Sequence, residues 1–294
     1  MLSDFMIDLS VVIVTYNCKD YVLECIESIF TQDRGSLRIE VIVVDNASGD
    51  DTAKAVAEVF PNVRLIKNAE NRWFTPAVNQ GIRASRGHYI LLLNPDTRLL
   101  TSNGLSKIVQ YLDTHPEAGI LGVKLLNPDS TIQADCERFP DLAWVLCYYF
   151  LIHKFFPSNP VKRHWRYDDW DRQDTRVVDY VSGAFMVIRR QVFDGVGIFD
   201  EGCIMYWGEA DFCRTAQKAG WQTVHLAEVE VVHHWRGSQR DISANSAKII
   251  AQLCEEGMLY YYKKHYGVGV YRFLLLVSGL RRIIFKIKKI LRII

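Results

Sequence analysis

The chain has 294 residues, enough for one large domain or two small ones, and its 49% hydrophobic content can fill a core. A formal net charge of +1 hides an asymmetry, because from Tyr271 onward there are seven Lys or Arg and no acid, leaving 28 basic against 34 acidic residues in the body. An acidic body argues against a nucleic-acid binder, and the basic tail is a separate electrostatic object.

Leu9 to Asn17 reads as a buried strand ending in polar Thr15, Tyr16 and Asn17, and Tyr21 to Phe30 has helical spacing. Ile39 to Asp45 is a second strand, followed by the turn Asn46-Ala-Ser-Gly-Asp50 and a helix to Phe60 that Asp50 or Asp51 can cap. Val63 to Ile66 is a short third strand, Asn71 to Ala84 turns helical in its later part, and Tyr89 to Leu93 is a fourth strand. Alternating strands and helices predict a doubly wound α/β fold with a mostly parallel sheet. Pro95 takes the chain out of that sheet, so Asp96 stands at the carboxyl end of a central strand, where such sheets bind ligands. Thr15 to Asn17 and Asp45 end on the same edge. An aromatic and two carboxylates converging there suit a nucleotide, although Asp45-Asn46 and Asn94-Pro95-Asp96 taken singly are ordinary turn chemistry. No Gly-x-Gly-x-x-Gly follows the first strand and no Gly-Lys-Ser/Thr occurs, which excludes the usual dinucleotide oxidoreductase and P-loop signatures.

Thr101 to His115 is an amphipathic surface helix, and Leu142 to Phe156 is the most apolar stretch of the middle region. That stretch is a core or dimer-interface helix, or else a membrane- or lipid-facing hairpin. Asn159 to Arg176 is a charged, tryptophan-rich loop, and Asp179 to Arg190 is a strand with an early glycine, Gly183, where backbone approaches a ligand. Trp207 and Gly208 precede Glu209 and Asp211 at the start of a helix ending near Gly220, and Val229 to Val232 is a strand followed by His233 and His234. Cysteines 18, 25, 136, 147, 203, 213 and 254 are scattered with no Cys-x-x-Cys spacing, so they read as buried thiols of a cytosolic protein. The expected chain has no secretory leader and no spanning helix. In the tail Ile283, Ile287, Ile290, Leu291 and Ile294 share one helical stripe beside clustered Lys and Arg. Such a helix lies on an anionic membrane, or docks on the acidic body or a second subunit.

Val-Val-Ile-Val-Thr-Tyr-Asn17, Val-Val-Asp45-Asn-Ala-Ser-Gly-Asp50 and Leu-Leu-Asn94-Pro-Asp96 resemble the nucleotide-sugar half of family 2 glycosyltransferases with the GT-A fold, rhamnosyltransferase-like subgroup. The resemblance covers roughly residues 9 to 240 and implies a domain over 1–240, with a nucleotide-sugar half (1–100), an acceptor half (101–240) and a C-terminal region from 241 to 294. It implies that Asp45 binds the base, that Asn71 belongs to the donor loop, and that Asp96 closes the "DXD" element with Asn94 in place of the first Asp. Asp96 and His233, with His234 as fallback, would hold Mn2+ or Mg2+. Glu209 takes the role of base, with Gly183, Trp207 and Asp211 on the acceptor side. The implied partners are a UDP- or dTDP-sugar, such as dTDP-L-rhamnose, and a saccharide or lipid-linked saccharide, handled at the inner face of the cell membrane by a chain that can dimerise. Trp73 stands where the family has glycine, which changes either the donor sugar or the loop's path. Two other classes remain: a nucleotide-sugar pyrophosphorylase, which wants a glycine-rich basic loop after the first strand, and a non-catalytic membrane scaffold.

Overall fold

The structure is a computed structural model that describes residues 7–150, 152–156, 158–234 and 244–290. The first half runs β1 (Leu9–Thr15), α1 (Lys19–Phe30), β2 (Ile39–Asp45), α2 (Thr52–Val59), β3 (Arg64–Lys67), α3 (Phe74–Ala84), β4 (Tyr89–Leu93) and β5 (Thr97–Leu99). Then follow α4 (Gly104–Thr114), β6 (Ala118–Leu126), β7 (Cys136–Glu137), α5 (Leu142–Tyr149), α6 (Ile152–Phe155) and α7 (Pro160–Trp165). After them come β8 (Arg176–Val178), β9 (Tyr180–Val181), β10 (Phe185–Arg189), α8 (Arg190–Val196), α9 (Gly208–Lys218) and β11 (Gln222–His233). Two long helices, α10 (Ala244–Tyr266) and α11 (Val268–Ile290), complete the described chain.

The main sheet has the order β3-β2-β1-β4-β10-β6-β11-β5. Its first four strands are parallel, as the alternation of strands and helices predicts. β10 departs from that pattern, entering antiparallel between β4 and β6, and β5 and β8 run antiparallel to β11. The central strands are apolar on both faces because both faces are covered. Leu9, Val11 and Ile13 pack with Tyr89, Leu91 and Leu93 against α1 and α4, while Val12, Ile90 and Leu92 face α3 and α9. Each such side chain contributes roughly 1.5–3 kcal/mol by leaving water.

Three segments differ from their sequence reading. The stretch from 142 to 156 forms two short helices, α5 and α6, and the loop from 159 to 176 opens with α7. α11 starts at Val268, and its Val270, Tyr271, Leu274 and Val277 pack with α5 and α10 in a third apolar cluster. Its opposite face exposes Phe273, Leu276, Leu280 and Ile283, so docking on the body and an outward apolar stripe coexist on one helix. The side chains of Ile287 and Ile290, and all of Leu291, Arg292 and Ile294, lie outside the described residues. Among the described residues no helix is long and apolar enough to cross a membrane.

Candidate active site

β-Sheet register assembles the nucleotide edge. Thr15 at the end of β1 pairs directly with Asp45 at the end of β2, and Ile13 pairs with Leu93, so Asn94 to Asp96 leave the sheet at the same edge. Tyr16 is 45% exposed there, free of the core and open to a flat ligand. Asn17 bridges the two loops, its backbone N–H donating to Ser48 Oγ (3.0 Å) and its Oδ1 accepting from Gly49 N–H (2.7 Å). Asp45 is buried. Its Oδ2 accepts from Ser48 N–H at 3.2 Å, and its Oδ1 finds no hydrogen-bond partner among the described residues, leaving one strong acceptor for a ligand donor.

Asn46, buried beside Asp45, organises the donor loop although the sequence reading treated it as turn chemistry. Its Nδ2 donates to Asn71 Oδ1 (2.9 Å) and to the Trp73 carbonyl (3.0 Å), while its Oδ1 accepts from Arg72 N–H (3.0 Å). Asn71 Oδ1 also accepts from Trp73 N–H at 2.8 Å. Trp73 itself has φ +63°, a left-handed backbone that suits glycine, while carrying an indole. Asn17 (φ +49°), Ala47 (φ +67°) and Trp207 (φ +75°) share that strained region, so the bends nearest the site are held against their local preference.

A second long-range register brings together Asp96 and His233, the two residues expected to hold a metal. His233 at the end of β11 pairs with Thr97 of β5, next to Asp96, and His234 N–H donates to the Asp96 carbonyl at 2.9 Å. Asp96 is 2% exposed, with Oδ1 3.5 Å from His233 Nε2. Gln133, unremarked in the sequence, fixes the imidazole. Its Nε2 donates to the His233 carbonyl at 2.6 Å, which turns its Oε1 toward His233 Nδ1 at 3.0 Å. With that amide orientation Nδ1 is the nitrogen that donates to Gln133, and Nε2 is the one that faces the carboxylate oxygen. A ring nitrogen and a carboxylate oxygen so placed on two buried residues fit the donor set of a shared divalent cation. His234 turns away to pack its ring 5.3 Å from that of Tyr21.

Glu209 lies at the start of α9, against Gly183. A Cβ built on Gly183 would fall 2.3 Å from Glu209 Oε1. The early glycine thus makes room for the carboxylate, where the sequence reading expected a ligand against bare backbone. Ala184, the next residue, accepts from Asn94 N–H at 3.0 Å, so one short segment touches both the Asp96 turn and Glu209. Burial raises the Glu209 carboxyl above its ordinary value. Glu137 on β7 sits in the same neighbourhood and accepts from the Tyr180 hydroxyl; burial pushes it up to about 7, with the nearby Glu209 adding to the rise.

The remaining acceptor-side residues have structural partners. Asp211 spends one oxygen on His265 Nε2 (2.7 Å) and the other on Lys264 Nζ (2.8 Å), clamping α9 to α10. Trp207 packs edge-on against Trp144 (5.3 Å) and at a tilt against Tyr261 (5.4 Å) and Tyr262 (6.3 Å). Elsewhere Asp135, Cys136 and His225 bring ligand atoms within 4.8 Å of one another. Arg172 already pairs with Asp135 at 3.2 Å, and Leu125 N–H donates to its other oxygen, so that cluster is a filled ionic network fastening the 159–176 segment. Six of the seven cysteines are buried, and burial pushes the Cys25 and Cys213 thiols up to about 12.

The family model for glycosyl transferase family 2 matches residues 10–197. Among curated proteins the chain is similar to N-acetylglucosaminyl-diphospho-decaprenol L-rhamnosyltransferase of Mycobacterium tuberculosis, 29% identical over 208 residues, which are 67% of this chain and 66% of that protein. The matched part thus falls just short of two thirds of that relative's length. Among solved structures, GalNAc-T7 with UDP, GalNAc and Mn2+ superposes with a TM-score of 0.57 at 14% identity, over 88% of this chain and 50% of that one. A mannosyltransferase from Pyrobaculum calidifontis in complex with GDP-Man and Mn2+ gives 0.52 at 17% identity, over 95% of this chain and 84% of that one. At such identities the two structures speak for the GT-A fold.

Proposed function

The chain belongs to glycosyl transferase family 2, and from that premise we propose that it is an inverting, non-processive transferase moving a sugar from a UDP- or dTDP-linked donor to a hydroxyl of a lipid-linked saccharide. One observation carries the reading: the Gly183–Ala184 segment joins the half-buried Glu209 carboxylate, its pKa raised by burial, to the turn that ends in Asp96. Tyr16 offers a face to the base, and Asp45 Oδ1 an acceptor for a base or ribose donor. Glu209 takes the proton from the attacking hydroxyl, and burial raises its basicity toward that of a base working near neutral pH. Asp96 and His233 would hold Mn2+ or Mg2+, which when bound supplies neutralisation of the departing diphosphate. The name of the M. tuberculosis relative favours dTDP-L-rhamnose as donor and a polyprenyl diphosphate saccharide as acceptor. The outward apolar stripe of α11 and the tail's basic residues favour peripheral attachment at the inner face of the membrane.

Calorimetric titration of UDP and dTDP, with and without Mn2+, tests this. Binding is expected to require the ion and to be lost in Asp96→Ala. Absence of binding by either nucleotide to the folded protein would overturn the reading.

A further inference from the structure

α5 has the composition Leu-Ala-Trp-Val-Leu-Cys-Tyr-Tyr and is apolar all round, yet only one side is packed on the body. Val145 and Tyr149 are buried against α10 and α11. On another side Trp144 and Tyr148 lie parallel, 5.6 Å apart and 4° from coplanar, and Trp165 of α7 closes over Trp144 at 5.0 Å. Between α5 and α7 these rings, with Cys147, Val161 and Lys162, enclose an apolar cleft of about 100 Å³. Its walls are fixed. Cys147 Sγ donates to Asn159 Oδ1 (3.6 Å), Asn159 Oδ1 caps α7 by accepting from Lys162 N–H (2.9 Å), and Arg138 N–H donates to the Trp165 carbonyl (2.8 Å). The Trp165 indole N–H is buried with no acceptor among the described residues.

Three further features say what enters. Lys162 lines the cleft and has no ion-pair partner among the described residues, and the Arg281 guanidinium lies over the Tyr148 ring at 5.4 Å, so two cationic side chains border the apolar walls. Large apolar side chains are exposed on the segments that follow: Phe150, Phe155 and Phe156 after α5, and Leu280, the neighbour of Arg281, on α11. At the other end Trp144 meets Trp207, two residues before Glu209. The surroundings of the cleft thus combine exposed apolar residues, two cationic side chains and aromatic rings.

We propose that the cleft between α5 and α7 holds the hydrocarbon segment bonded to the phosphate of the lipid-linked acceptor, with Lys162 and Arg281 taking the phosphate charge. The proposal rests on the transferase reading for the direction in which the sugar points. It assigns Trp144, Tyr148, Val161 and Lys162 to acceptor binding, apart from the donor edge.

Farnesyl diphosphate titrated into the full chain, followed by tryptophan emission, tests it directly. Saturable quenching is expected, with inorganic pyrophosphate and farnesol each at least about ten-fold weaker, because each lacks one half of the recognised chemistry. Val161→Phe, which fills the cleft, and Lys162→Glu should each weaken farnesyl diphosphate about ten-fold while leaving Mn2+-dependent nucleotide binding unchanged. Nucleotide binding serves as the check that both variants are folded. Farnesyl diphosphate binding that is absent, or equal in wild type and Val161→Phe, overturns the cleft assignment even where nucleotide binds. Equal quenching by phosphatidylglycerol vesicles in both proteins would assign the emission change to the membrane face of α11. Cleft-dependent binding without any nucleotide binding would keep the cleft and sink the transferase reading.

Discussion

The nucleotide edge and the acceptor side are built by different means. On the nucleotide edge, β1, β2 and β4 end together, and side chains are placed by strand register and by short hydrogen bonds between neighbouring loops, as with Asn17, Asn46 and Asp45. On the expected acceptor side β8 and β9 are only three and two residues long, and position comes from a glycine, an ion pair of the buried Asp211 and packed aromatics supplied by α5, α9 and α10. The first kind of site tolerates loss of a distant helix. The second kind depends on it.

The largest effect that can separate the two sides is expected from Glu209→Gln. It should lower turnover on the order of 100- to 10,000-fold, with nucleotide affinity by calorimetry within about two-fold of wild type. Next comes Asp211→Asn, which removes one member of a buried pair and leaves Lys264 and His265 poorly matched. Loss of about 2–4 kcal/mol in denaturant unfolding is expected, discounted because Lys264 is a third exposed. Gly183→Ala is a sharper cut, since the added methyl must displace Glu209 Oε1. About a 10- to 100-fold loss of kcat is expected with melting temperature and nucleotide affinity almost unchanged, and an unaltered kcat would free Glu209 from that contact.

The smallest and most pH-dependent effect falls on Glu137. Its carboxyl titrates near 7 when folded, above the ordinary 4.5, so the folded state holds a proton that the unfolded state has released between those values. Its stabilisation is thus complete below about 4.5 and is lost as pH rises toward 7. Glu137→Gln should be neutral at pH 4.5 and more stable than wild type by about 1–2 kcal/mol at pH 8, read from melting curves at both pH values. Equal shifts at the two pH values would show that Glu137 is not buried as a charge.

The same contrast explains what was legible in the sequence. β2 and β4 fall on the residues read as strands, because an apolar run closed by a turn is a local signal, and Asp45 and Asp96 follow from where such strands end. His233 could be joined to Asp96 only through the resemblance, since a pairing of residues 97 and 233 leaves no mark on either stretch. Gln133 carries no signal; it is an ordinary polar residue that matters through a carbonyl 100 residues away. Gly183 was marked for close approach, but nothing local tells a ligand from the carboxylate of Glu209. The antiparallel entry of β10 is hidden for the same reason, because an apolar strand reads alike in either direction.

The clamp between Asp211 and α10 also sets a timetable. A ribosome adds about 5–20 residues per second, so for several seconds after α9 emerges, Lys264 and His265 do not yet exist to neutralise Asp211. Through that interval β1 to β4, and β10 on the far side of β4, have already been made. The nascent chain therefore has the strands that carry Asp45 and Asp96 before it has the clamp that fixes the helix carrying Glu209, and cutting between β11 and α10 should cost the Glu209 side of the proposed site more than the Asp45 side.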